Sequence, residues 1–324
     1  MATYKEIFGT NIEVLASDPA NPVQGQVWYN STDNVVKGSL GPLVGTWSTG
    51  GNLNSGRQEG ATAASSNTAG IYFAGNSGLP TLAVLTESYN GTSWTEVNDL
   101  GTARRLLASA GTETAGLAFG GFGPGNISAT ESWNGTSWSP VSSLNTARYG
   151  LSGGGIQTSA LAFGGNSNPP FQQYTNVESW NGSAWTETTD FSSIKNSRAA
   201  CGDSNTAMLA VGGDQSPNAI TELFNGSTWT EVGDLNTGRG GLSGAGTSTL
   251  GLVFSGSVPP YTGATESYNG TTWTEVNDRS VATAGMGSGA HGSQTNALAA
   301  GGYTTRVDTE EWSEFGGTIT FTDS

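Results

Sequence analysis

The sequence predicts an all-β fold of six repeated four-stranded sheets, and three observations carry that expectation. First, one segment keeps returning. Glu87-Ser88-Tyr89-Asn90-Gly91-Thr92-Ser93-Trp94 recurs at 131–138, 178–185, 222–229 and 266–273, so that the tryptophans step by 44, 47, 44 and 44 residues. Second, an apolar run ending in Gly-Gly or a near variant occurs six times, at 71–75, 117–121, 161–165, 209–213, 252–256 and 298–302. Third, the 324 residues include 50 glycines without a Gly-X-Y period, with abundant Thr, Ser and aromatics. That composition favours short strands and tight turns over helices. A period of this length marks a solenoid or propeller, and four short strands per unit is the blade of a β-propeller.

Taken in order, residues 1–44 stand outside the repeat. Asp18-Pro19 and Asn21-Pro22 make an irregular lead-in, and residues 26–37 read as a small hairpin around polar turn residues. From residue 45 to 315 each unit has four parts. An Arg opens it (Arg57, Arg104, Arg148, Arg198, Arg239), and the Gly-Gly strand follows. A strand around Glu87, Glu131, Glu178, Glu222, Glu266 or Glu310 comes next, then a Trp strand. Asn-Gly between the last two tolerates positive φ, which a tight hairpin needs. Small residues let the strands nearest the axis crowd together.

The Trp strand appears at Trp47, Trp94, Trp138, Trp185, Trp229 and Trp273. Its register is offset, since the repeats begin with Trp47 and end on Thr309-Glu310-Glu311-Trp312. Using Trp47 as the outer strand of the last blade closes a six-bladed ring and removes two sheet edges. Residues 316–324 form a tail that either supplies its own outer strand or pairs with residues 24–38.

Phased repetition argues for scaffold. The arginines recur with the glutamates and read as structural cations held by carboxylate or carbonyl acceptors. The last unit breaks the pattern, with Thr283 near the expected Arg. Asn90, Asn134, Asn181, Asn225 and Asn269 match the glycosylation triplet but are explained by turn geometry. Asp99, Asp190, Asp234 and Asp278 fall in equivalent loops and read as turn residues rather than a glycosidase pair. One His, His291, and one Cys, Cys201, give no relay and no zinc site, so no cofactor, metal or catalytic set is expected. Cys201 reads as a buried thiol.

The formal charge is −15, from 11 Lys plus Arg against 26 Asp plus Glu, and it argues against nucleic acid. No run of 18 apolar residues suggests a membrane helix, and residues 1–8 lack an apolar signal core. What varies between units is the loop after each Gly-Gly strand. These loops carry Phe122, Phe171, Tyr174, Tyr261 and Tyr303, with Pro169-Pro170 and Pro259-Pro260. They are the candidate recognition surface for a sugar or a protein.

Arg104, then Phe119-Gly120-Gly121, then Glu131 to Trp138 resembles the kelch family of β-propellers, and the pattern recurs over residues 45–315. The resemblance implies a six-bladed kelch-like β-propeller and a protein-binding module rather than an enzyme. Ala74-Gly75, Ser255-Gly256 and Thr283 depart from it. Residues 16–38 resemble segments of tail and fibre proteins of tailed bacteriophages. That implies a virion structural protein, with residues 1–44 as a docking arm for other virion proteins and the loops facing a host-surface glycan or protein. A carbohydrate-active enzyme and a purely architectural disc are the alternatives.

Overall fold

The computed structural model describes residues 12–19, 26–39, 44–78, 81–191, 196, 198–214, 218–286, 288–315 and 318–321. The chain divides into two compact units, Trp47–Ser313 and Met1–Thr46 with Glu314–Ser324. In the smaller unit, strands Val27–Asn30 and Val35–Ser39 form the expected hairpin. Glu13–Leu15 joins one side in parallel and Thr318–Phe321 joins the other side antiparallel. The tail therefore pairs with the hairpin, one of the two arrangements left open by the sequence. Asp18 ties this unit together by accepting from Trp28 Nε1, Asn30 Nδ2 and Lys37 Nζ.

The larger unit is a propeller-like set of sheets, one per repeat. Sheet 1 contains Ala61–Ser66, Ala69–Phe73, Thr86–Tyr89 and Trp94–Val97, and sheet 2 Ala108–Gly111, Gly116–Phe119, Thr130–Trp133 and Trp138–Val141. Sheet 3 contains Ser152–Ile156, Ser159–Phe163, Val177–Trp180 and Trp185–Glu187. Sheet 4 contains Ala199–Ser204, Ala207–Val211, Thr221–Phe224 and Trp229–Glu231. Sheet 5 contains Ser243–Gly246, Gly251–Phe254, Thr265–Tyr268 and Trp273–Val276. Sheet 6 differs. Asn296–Ala300, Thr309–Phe315 and Val44–Thr49 are bonded in that order, while Ser288–His291 pairs in parallel with Ala61–Ser66 of sheet 1. First strands of neighbouring sheets run in the same direction, so where two such edges meet the ladder is parallel.

Each repeated residue has a bond that explains its recurrence. Asn90 Oδ1 accepts from the backbone N–H groups of Thr92 and Ser93, both at 3.0 Å, and Gly91 takes φ +86°. The same Asx turn forms at Asn134, Asn181, Asn225 and Asn269. The aspartates are turn residues too. Asp99, Asp190, Asp234 and Asp278 accept from the backbone N–H of Thr86, Val177, Thr221 and Thr265.

Tryptophans stitch each sheet to the one before it. Trp138 Nε1 donates to Thr86 Oγ1, Trp185 to Thr130 and Trp273 to Thr221, each at 3.0 Å. Trp94 of sheet 1 donates to Thr309 of sheet 6 at 2.9 Å, and Trp47 donates to Thr265 of sheet 5 at 3.0 Å. Trp229 is the exception. Val177 stands where the other repeats have Thr, and the indole turns to the Thr189 carbonyl instead. The second residue of each Gly-Gly pair makes a further stitch. Gly75, Gly121, Gly213 and Gly302 donate their N–H to the carbonyls of Arg104, Arg148, Arg239 and Arg57. Ala74 (φ 59°) and Ser255 (φ 61°) keep the left-handed turn without glycine.

The arginines are buried and ion-paired: Arg57–Glu87 at 2.6 Å, Arg104–Glu131 at 2.8 Å, Arg148–Glu178, Arg198–Glu222 at 2.7 Å and Arg239–Glu266 at 2.5 Å. Their spare donors reach strand-end carbonyls, as Arg104 Nη1 does to Ala129. The far carboxylate oxygen often holds the linker turn: Glu87 Oε2 accepts from Asn54 N and Nδ2, and Glu178 Oε2 from Asn145 N and Nδ2. The expected break at Thr283 is corrected here. Arg279, four residues earlier, enters from the preceding turn and meets Glu310 at 2.8 Å. The sixth pair is kept with its cation displaced along the chain.

A buried pair gains little over an apolar substitute, but removing one partner strands a charge and costs about 3–5 kcal/mol. Glu178→Ala should therefore lower unfolding stability by about that amount in denaturant titration. A loss below about 1 kcal/mol would place the pair with ordinary surface bridges.

Burial also raises the pKa of two groups in this core. Desolvation pushes the Tyr72 phenol up to about 12 and the Cys201 thiol up to about 12. Both are neutral when protonated, and the unfolded chain releases these protons first, near pH 9.0 to 10.0. Stability should hold below that range and fall as pH climbs toward 12. Tyr72→Phe should make the alkaline fall shallower in melts taken across that window; an unchanged slope would remove Tyr72 as a cause.

Candidate functional site

The linker entering each inner strand turns sharply two residues after the repeated Arg. The turn residue is left-handed at Glu59 (φ 58°), Leu106 (φ 53°), Gly150 (φ 61°) and Gly241 (φ 63°), and at Gly285 (φ 64°) two residues after Thr283. Backbone bonds join these residues across sheets. Gly285 N donates to Gly241 O, Glu59 N to Gly285 O, Leu106 N to Glu59 O and Gly150 N to Leu106 O. Among the described residues, sheet 4 adds none to this run. Just inside this run lies a depression of about 80 Å³, with Leu107, Leu151, Leu242 and Met286 among its walls and Arg198 to one side.

Glu59 is out of place in that run. Three of its equivalents are glycine, and an L-residue held left-handed costs about 1–2 kcal/mol. Such strain persists where surroundings over-determine it and gathers at functional sites. The surroundings are visible. Glu59 Oε2 accepts from Asn76 Nδ2 at 2.8 Å and from Arg105 Nη1 at 2.5 Å, and Oε1 accepts from Tyr303 Oη at 2.8 Å. Only 8% of the Glu59 surface is exposed, whereas the Arg105 side chain keeps 22%. Burial and then the adjacent Glu59 carboxylate raise the Tyr303 phenol above the usual tyrosine range, so it stays protonated and donates. The arrangement is a carboxylate–phenol unit with a guanidinium beside it.

The aromatic candidates from the variable loops distribute around this unit. Tyr303 is part of it. Tyr261, 43% exposed, stacks on Tyr303 with ring centroids 5.8 Å apart and planes at 28°. Phe122 lies under the Arg105 guanidinium at 5.7 Å and packs edge-on against Tyr149 at 5.1 Å. Phe171 and Tyr174 do not join it directly. They belong to a separate two-stranded turn at Asn166–Ser167 and Gln172–Gln173, where Phe171 is 66% exposed and Tyr174 Oη meets Ser167 Oγ. Asn168 N donates to Asn126 Oδ1, which sets this turn against the loop that begins at Phe122.

The opposite end of the inner strands also has a hollow, larger at about 360 Å³. Its walls are mostly Gly, Ala, Ser and Thr, with Ile156, Leu250 and Gln294 besides, and Asp203 is the ionisable member among the described residues. Size favours that hollow, but chemistry favours the Glu59 side. No group of three or more His, Cys, Asp or Glu among the described residues is placed to hold a metal.

Sequence reading missed Glu59, Asn76, Arg105 and Tyr149. A signal existed for the first of them. In phase, Arg57-Gln58-Glu59-Gly60 sits over Arg148-Tyr149-Gly150-Leu151 and Arg239-Gly240-Gly241-Leu242, and a carboxylate occupies a position otherwise given to glycine or leucine.

No family model matches the chain, and no curated protein does. Among solved structures, that of YjhT superposes with a TM-score of 0.66 at 12% identity, covering 83% of this chain and 100% of that one. These findings correct the kelch and phage-tail resemblances. The repeated Arg is consumed by an ion pair within its own repeat, and the Gly-Gly and Trp positions by bonds between sheets, so they report how such sheets hold and pack rather than a lineage. Residues 27–39 are likewise explained by their own hairpin, with Asn30 Oδ1 holding the turn at Thr32 and Asp33. The roles drawn from those resemblances fall with them: a virion structural protein, docking of residues 1–44 on virion partners, a place in the virion, and a module without catalysis. The likeness to YjhT is one of fold, and the chain has a propeller-like all-β architecture.

Proposed function

We propose that the six repeat sheets are blades of one closed ring and that the chain is a carbohydrate-active enzyme acting at the Glu59 end of it. Support for closure comes from bonds joining sheet 6 to sheet 1: Trp94 to Thr309, Gly302 to Arg57, Asn67 to the Trp312 carbonyl, and the parallel pairing of first strands. Val44–Thr49 is then the outer strand that sews the seam.

One observation carries the catalytic reading. A strained glutamate replaces glycine in a repeated turn, and its carboxylate is held by Asn76, Arg105 and the protonated Tyr303. A sugar offers a C–H face that packs on aromatic rings and a rim of hydroxyls that bonds to carboxylate and guanidinium groups. Tyr261 and Tyr303 supply the rings, and Arg105 and Glu59 the polar partners. Glu59 is the proton acceptor in this reading, its carboxylate held in place by the Tyr303 phenol, the Asn76 amide and the Arg105 guanidinium.

The test is turnover of a sugar panel, read by reducing-end release and by NMR of anomeric protons, alongside thermal melts. Glu59→Gln should lower turnover by about 10²–10⁴-fold. Glu59→Gly should do the same while the protein stays folded, because glycine relieves the left-handed turn. Unimpaired turnover in Glu59→Gln, or no turnover of any sugar by the unmutated protein, would defeat the reading.

A further inference from the structure

We infer that the Glu59 face binds a linear, uncharged oligosaccharide along its length, through several subsites, rather than enclosing a single sugar. This rests on the carbohydrate reading above and adds to it the class of ligand.

Three observations carry the inference. The first is volume. The depression beside Glu59 is small, about 80 Å³ against about 360 Å³ for the hollow at the opposite end, so most of a sugar bound there stays outside it. A ligand reaching Glu59 must lie across the mouth.

The second is a chain of contacts that runs across five sheets on the same side. Tyr261 of the sheet 5 loop stacks on Tyr303 of the sheet 6 loop, and Tyr303 bonds Glu59 at the entry to sheet 1. Glu59 bonds Arg105 at the entry to sheet 2, and Arg105 lies over Phe122, which packs on Tyr149 at the entry to sheet 3. The Asn126–Asn168 bond extends the path to the turn that carries Phe171. The path ends on the two most exposed rings among the described residues of these loops, Tyr261 and Phe171. A single sugar at Glu59 would have no use for a ring as distant along this path as Phe171. A chain of sugars would stack on both.

The third observation is charge. The protein carries −15 overall, and the one cation within the path, Arg105, is already committed to Glu59. A polyanionic glycan meets repulsion, whereas an uncharged one does not.

The experiment measures binding, by calorimetry or affinity electrophoresis, of gluco-, manno- and galacto-oligosaccharides from one to six residues, with polygalacturonate as the charged control. For the series that binds, affinity should rise at least tenfold between the monosaccharide and the longer members. Phe171→Ala should weaken the longest member about three- to tenfold while leaving monosaccharide binding unchanged, whereas Tyr261→Ala, which removes a ring of the Glu59 site itself, should weaken every member of the series. Both side chains are exposed, so the variants should keep the parental melting temperature. Equal affinity for one and six residues, an unchanged hexasaccharide affinity in both variants, or preference for polygalacturonate would overturn the inference while leaving a sugar site standing. If no member binds at any length, the carbohydrate reading itself fails, and this inference with it.

Discussion

Guanidinium–carboxylate pairs sit at the root of this architecture, because each holds three pieces of chain at once. Arg57 spans from the linker turn to the Ala74 and Leu85 carbonyls and to Glu87 on the third strand, and Glu87 in turn grips the turn at Asn54. The entry linker is thereby fixed against the strand ends before any loop is placed. A long guanidinium suits this work better than lysine, since one planar fork serves several acceptors in fixed directions. Such a joint is intolerant of half measures, as a desolvated ion without its counterpart is far worse than none.

Much of the frame was legible from the chain because its bonds recur. The Asn-Gly turns, the Arg–Glu phase and the Trp47 strand beside Thr309–Phe315 all follow from repetition together with elementary turn and pairing chemistry. Thr283 misled because alignment by position assumes the cation stays in register, whereas a long side chain reaches Glu310 from Arg279. Trp229 changed partner because Val177 lacks the hydroxyl its equivalents offer. Functional residues were harder to see for a related reason. Attention to what repeats passes over what occurs once, and Glu59 stands out because its counterparts are Gly150, Gly241, Gly285 and the apolar Leu106, none of them charged. Its partners come from three other segments, and only folding shows that Asn76, Arg105 and Tyr303 converge.

The likeness to YjhT at 12% identity fits that division. Propeller-like sheets tolerate almost any sequence that keeps turn, stitch and buried pair, so architecture outlives residue identity. The residues that do not repeat lie in linkers and loops, where a single replacement at a strained turn introduces the Glu59 carboxylate without disturbing the frame.

Sheet 4 is where the repeats stop being equivalent. There Gly165 bonds the Asn196 side chain where its counterparts bond a backbone carbonyl. Nearby, Val177 sends Trp229 to the Thr189 carbonyl. Near-identical modules invite slippage, in which one takes its neighbour's place during assembly. Here a shift by one module would carry the Asn196 amide to a joint built for a carbonyl and leave another indole facing a valine. The mismatched joint thus marks sheet 4 off from its neighbours, so that a register shift along the array would lose bonds at this place.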